Sequence, residues 1–177
     1  GNVIMIISIF SLFINLLVYN MNYRSLKDSI ISQMKSANQS TIFIIDEFLL
    51  SRKDEMLQFA KSPEVIKAVK EKNAPWLNER LASIYSNGNN FYENTFITSV
   101  DENPTVLYSG LPGGKSIGHE MKKESRSNAN MEKSMKGEFY ISAAFPSPIT
   151  KEAVLLLTAP IIDQNKVIGV LGFPIMI

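Results

Sequence analysis

From Val3 to Tyr19 the chain is apolar on every side and uncharged, with only Ser8, Ser11 and Asn15 interrupting the run. A helix that is apolar all round is buried in lipid or in a large core. Crossing hydrocarbon takes ~20 residues, with a lower range near ~17. Residues 1–20 are therefore expected to form a transmembrane helix, with Tyr19, Tyr23, Arg24 and Lys27 suited to the membrane interface.

Beyond it, apolar side chains recur at Leu26, Ile30, Met34, Ala37, Ile42, Ile45, Phe48, Leu49, Met56 and Phe59, mostly at helical spacing. Lys27, Asp28, Lys35, Asp46, Glu47, Arg52, Lys53 and Asp54 fall between them and need water. Residues 21–61 thus read as an amphipathic stalk helix. Its distal half is expected to face a core, and its proximal stripe a parallel partner helix from a second subunit, giving a homodimer.

Ser62-Pro63-Glu64 starts a short helix to about Lys72, because Ser can cap, Pro fits the first helical position and Glu suits the positive end of the dipole. Ala74-Pro75-Trp76 opens another through Tyr85, and Trp76 is expected to be a core anchor. After the loop around Gly88 the grammar changes to strands. Phe91 to Val100 and Thr105 to Tyr108 are joined by the turn Asp101-Glu102-Asn103-Pro104. Phe139 to Phe145, Ala153 to Ile162 and Val167 to Ile177 follow, the last two joined as a hairpin through Asp163-Gln164-Asn165-Lys166. Between the second and third strands, His119 to Lys136 is polar, and its second half is expected to be helical and to end at Gly137. Five strands with one helical excursion give an α+β fold: a long helix, then an antiparallel sheet with helices on one side.

Composition narrows the chemistry. At 177 residues, less the span, there is room for one domain of ordinary size, residues 62–177. Eighteen basic against 17 acidic residues leave a net charge of +1, so no global field favours nucleic acid. Zero cysteines exclude disulfides and thiolate metal sites, and a single histidine makes a protein-built zinc site a poor reading. Gly114-Lys115-Ser116 ends like a phosphate-binding loop, but Ser109 stands where that pattern needs glycine and Pro112 removes an amide donor. His119 has no nucleophile pattern beside it, and no constellation specifies acid/base work. No enzyme activity, metal or cofactor is expected.

Met135-Lys136-Gly137-Glu138-Phe139-Tyr140-Ile141-Ser142, then Leu157-Thr158-Ala159-Pro160-Ile161 and Val167-Ile168-Gly169-Val170-Leu171-Gly172, follow the span and long helix in an order that resembles the extracellular Cache sensor domains of bacterial chemoreceptors, sensor histidine kinases and diguanylate cyclases. The resemblance implies a PAS-like five-stranded sheet that cups a small molecule outside the cell, in a bacterial membrane receptor whose helices carry the signal inward. Cache domains that bind amino acids place Arg-x-Trp-Tyr before the glycine matching Gly137, where this chain has Asn128-Ala129-Asn130-Met131. Their Tyr-x-Asp corresponds to Phe145-Pro146-Ser147, and the aspartate near the end of the last strand to Pro174. An ammonium buried without an anion costs several kcal/mol, so an ordinary L-amino acid is not the expected ligand.

The walls of such a pocket are expected at Tyr92, Phe96, Asn128, Asn130, Met131, Phe145 and Ser147, with Arg126 nearby to hold a carboxylate. Amides, a hydroxyl and aromatic faces suit a neutral or weakly polar ligand. The rival readings are a protein-binding ectodomain, which a closed pocket and an exposed apolar patch would favour, and a purely structural dimeric one, which a sheet filled by its own side chains would favour.

Overall fold

The computed structural model describes the chain except Gly1, Asn89 and Glu124, and describes the backbone alone at 2–13, 16, 42–44, 126 and 127. Helix α1 runs Asn2–Ala60, α2 Pro63–Glu71, α3 Pro75–Asn87 and α4 Arg126–Met135. The strands are β1 Phe96–Thr98, β2 Val106–Ser109, β3 Tyr140–Ile141, β4 Phe145–Pro146, β5 Ala153–Asp163 and β6 Lys166–Met176, with a short 3-10 turn at Pro112–Gly114. Contacts divide the chain into two units, Gly1–Leu49 and Leu50–Ile177.

The first unit is helix α1 from Asn2 to Leu49. Leu26, Ile30, Met34 and Ile45 of the stalk stripe are exposed in it. Among the described residues no helix is long and apolar enough to cross a membrane. Most of the expected span from Val3 to Tyr19 falls on positions whose side chains lie outside the described residues.

The second unit begins with the last turns of α1, where Met56 and Ala60 are buried. Ser62 takes the extended conformation of a cap residue and Pro63 the first helical position, so α2 starts where the Ser-Pro-Glu signal places it, although the Ser62 hydroxyl makes no capping bond. In α3, Leu77 and Leu81 are fully buried while Trp76 is 42% exposed. The expectation that Trp76 anchors the core is therefore corrected: the leucines take the inward stripe, and the residue one step along the helix from Leu77 points about 100° away from it.

The sheet is antiparallel throughout, in the order β2-β1-β6-β5-β3, with β4 also paired to β5. At its centre β5 and β6 form the expected hairpin, closed by Asp163 opposite Lys166, with Gln164 and Asn165 both at positive φ (47° and 64°) as a tight two-residue turn requires. The single strand expected from Phe139 to Phe145 is two. Ser142 interrupts it: its hydroxyl, in place of a backbone carbonyl, accepts the Leu156 N–H at 2.9 Å, so regular pairing stops at Ile141 and resumes at Phe145.

Alternation along β6 turns Leu171, Phe173 and Ile175 to one face and Val170, Gly172 and Pro174 to the other. The first face meets the helices of the N-terminal side. Tyr108 donates its hydroxyl to the Ala68 carbonyl of α2 at 2.8 Å, and Tyr92 packs edge-on against Phe173 with ring centroids 5.2 Å apart. The second face is covered by α4 and the loops around it. There Met131 is buried in a cluster with Phe96, Val106, Met121, Phe145, Val154, Leu156 and Val170, and the Ser134 hydroxyl donates to Thr158 Oγ1 at 2.7 Å. Helices thus flank both faces, not one, because the short polar helix α4 carries a single apolar anchor deep enough to close the second side.

Candidate functional site

A cavity of about 260 Å³ opens on that second face. Phe96, Val154, Leu156 and Pro174 supply its floor from β1, β5 and β6. Val106, Met121 and Phe145 wall it, and Pro148 and Ile149 close one side. Phe96 has room because it lies over Gly172, where an added Cβ would sit 2.4 Å from the ring.

The polar wall residues divide by what they already hold. Asn94 donates from Nδ2 to Ser116 Oγ at 3.0 Å, Ser116 donates to Ser109 Oγ at 2.7 Å, and Ser109 donates to Asn94 Oδ1 at 3.3 Å. This closed ring explains Ser116 of the phosphate-loop look-alike: it is buried and serves the fold. Ser125 accepts the Asn128 N–H at 3.1 Å as the cap of α4. His119, Glu120 and Lys122 line the cavity but are exposed. Glu93 differs from all of these. It is only 8% exposed, its backbone N–H is fixed on the Pro174 carbonyl at 2.9 Å, and its Oε1 accepts the Thr150 hydroxyl at 2.5 Å.

Of the residues expected in the wall, the structure brings Phe96 and Phe145 to this cavity. Tyr92 lies on the opposite face: Arg52 Nη1 donates to its hydroxyl at 3.4 Å, and burial raises the phenol above its ordinary pKa while the arginine pulls the other way. Asn128 is buried but spent, its Nδ2 donating to the carbonyls of Glu102 at 2.9 Å and Met121 at 3.1 Å, which tie α4 to the neighbouring loops. Met131 packs in the adjoining core, and Asn130 is half-buried on α4 outside the lining. The Ser147 hydroxyl accepts the N–H groups of Ile149 and Thr150 at 2.9 and 3.2 Å, shaping the turn that carries Thr150. The Arg126 side chain lies outside the described residues.

Sequence reasoning missed Glu93, since nothing in Phe91-Tyr92-Glu93-Asn94 distinguishes a wall carboxylate from a solvated one. Alternation was the one usable signal. With Tyr92 and Phe96 both placed in the pocket, it could not also place Glu93 there, because neighbouring residues of a strand face opposite ways. Among the described residues no group of three or more His, Asp or Glu is placed to hold a metal ion.

No protein-family model matches the chain, and no curated protein does. Solved structures do. The E. coli DcuS sensor domain superposes with a TM-score of 0.52 at 17% identity, over 70% of this chain and 86% of that one. The sensor domain of the V. cholerae histidine kinase DctB gives 0.56 at 13%, over 78% and 54%. The chain has the PAS-like fold of Cache sensor domains. The ligand-binding domain of Mlp24, solved with asparagine, shares it with a TM-score of 0.53 at 13% identity, over 74% of this chain and 51% of that one. This chain therefore spans about half of the DctB and Mlp24 domains and most of the DcuS domain.

Proposed function

We propose that the chain is the extracytoplasmic sensing part of a bacterial membrane signalling receptor, which takes a small molecule into the cavity over the second sheet face. In this reading the domain acts by binding, without catalysis. The apolar start of α1 crosses the membrane, and α1, paired with that of a second subunit, passes the signal inward. The observation that carries it is the cavity of about 260 Å³ left open between Phe96, Leu156 and Phe145, in a fold used by other sensor domains. A structural ectodomain would be expected to fill that face with its own side chains, and a protein-binding one to close it.

The expected exclusion of ordinary L-amino acids is not retained. It rested on the lack of an anion to meet the ligand ammonium, and Glu93 puts one in the wall.

A thermal-shift screen of the full chain in detergent micelles, against organic acids, amines, amino acids and purines, tests the proposal. A ligand that binds only the native state raises the melting temperature. One class is expected to raise it by several degrees, and Val154→Phe, which fills the cavity floor, to abolish that rise. A flat response to every class, with Val154→Phe more stable than the parent, would favour the structural ectodomain.

A further inference from the structure

Resting on that reading, we infer that the cavity takes a primary ammonium carried on a short apolar body, with the Glu93 carboxylate as its counter-ion. Of the rest of the wall, His119, Glu120 and Lys122 are exposed, and the buried remainder is either apolar or already bonded. Asn94, Ser109 and Ser116 satisfy one another, Ser125 holds the first turn of α4, and the floor is Phe96, Val154 and Leu156. Glu93 alone brings a charge that is more than nine-tenths buried.

Among the described residues its side chain bonds only a neutral hydroxyl, that of Thr150, and no lysine or arginine forms an ion pair with it. A carboxylate facing an apolar cavity without a cation is costly, and an ammonium guest offsets that cost while its hydrocarbon covers the floor. An anionic guest meets repulsion from the same group. The carboxylate is also held in place: the Glu93 N–H is bonded to Pro174, which lines the cavity, and the Thr150 hydroxyl fixes one carboxylate oxygen. The second oxygen is left to receive a donor from the guest.

The ammonium can belong to a simple amine or to an amino acid, and calorimetric titration of the full chain in detergent micelles separates these sources. The probes are isopentylammonium, isopentanol, isocaproate and L-leucine, leucine being isopentylammonium with an added carboxylate. Isopentylammonium is expected to bind at least ten-fold more tightly than isopentanol, and isocaproate not at all. Glu93→Gln should bring the ammonium down to the level of the alcohol and leave the alcohol unchanged. Leucine binding more tightly than isopentylammonium identifies an amino acid, and weaker binding a simple amine; both keep the ammonium at Glu93. Thr150→Val, which frees the carboxylate without removing it, should weaken the ammonium several-fold and serves if Glu93→Gln does not fold. Equal binding of alcohol and ammonium, or an ammonium indifferent to both substitutions, overturns this assignment while the sensing cavity stands. If none of the four probes binds, the assignment falls, and the thermal-shift screen then decides whether the sensing cavity falls with it.

Discussion

Arg52 of α1 and Tyr92 ahead of β1, 40 residues apart, meet through a guanidinium-to-hydroxyl hydrogen bond of 3.4 Å. Arg52 is also paired with Glu55 at 2.6 Å, and the Tyr92 ring stands edge-on to Phe173 at 60°. Since Glu93 follows Tyr92 and faces the cavity, the residue fastened to α1 and the residue facing the candidate ligand are chain neighbours on opposite sides of the sheet.

Tyr92→Phe keeps the ring and removes the bond. For a long, partly exposed hydrogen bond to a charged group the loss should be about 1 kcal/mol. Arg52→Ala in the Tyr92→Phe background should then cost less than it does alone. Chemical denaturation of the four chains of this double-mutant cycle measures the coupling. Additive losses would show that the two side chains do not interact in solution.

The same tyrosine predicts a response to alkali. Burial raises the phenol of Tyr92, and burial raises that of Tyr108 also. A group whose folded pKa lies above its unfolded value contributes stability that is fully present below the unfolded value and is lost as pH rises toward the folded one. Stability should therefore hold up to about pH 10, the ordinary tyrosine range, and decline above it. Tyr92→Phe and Tyr108→Phe should each flatten the decline in a plot of melting temperature against pH. A profile unchanged by both would remove the tyrosines as its cause.

Gly172 lets Phe96 lie across β6, and a methyl group there would meet the ring at 2.4 Å. Gly172→Ala should cost about 1–3 kcal/mol through overpacking. The ring it displaces is part of the cavity floor, so ligand binding should fall further than the loss of stability alone explains. Comparing the denaturation midpoint with the binding isotherm at a temperature where the variant is folded checks both effects.

How far the fold could be read in advance varied with where the information lies. Ser62-Pro63, Ala74-Pro75 and Gly137 mark helix ends through local chain stereochemistry, and Asp163 to Lys166 marks its hairpin the same way; at each the structure follows the local signal. The first strand, expected from Phe91, is regular only from Phe96, because Pro174 opposite offers a carbonyl but no N–H and reduces the pairing at Tyr92 to an isolated bridge with Ile175. That depends on a partner some 80 positions away, read from Tyr92 against Pro174. The site followed the same division: the aromatic lining residues Phe96 and Phe145 announce themselves by type, whereas Glu93 acquires meaning only once β6 and the turn bearing Thr150 are beside it.

Gln164 and Asn165 both occupy the left-handed region, which glutamine enters at a cost. Gln164→Asn combined with Asn165→Gly gives the preferred sequence of this turn type. The pair should raise stability by about 1 kcal/mol. Removing the nearby Lys70 to Asp163 bridge of 2.7 Å, whose lysine is half exposed, should change stability by less than about 1 kcal/mol. Melting curves of the two variants check both, and a larger effect from Lys70→Ala than from the turn would reverse their assigned importance.

Leu26, Ile30 and Met34 lie on successive turns of α1 in the first unit, and each is between 48% and 64% exposed. Side chains of this size repeated along one helical face gain from burial, about 25 cal/mol per Å² of apolar surface removed from water. Among the described residues of their own unit nothing covers them, so the proposed partner is the same face of a second copy. The full chain in detergent micelles is accordingly expected to sediment as a dimer. Ile30→Asp with Met34→Asp places charges in the seam, where they would be buried and unpaired. The substituted chain should sediment as a monomer, while its 50–177 unit keeps its melting temperature and ligand response. A parent chain already monomeric at micromolar concentration, or a dimer that survives both aspartates, would move the contact away from this stripe.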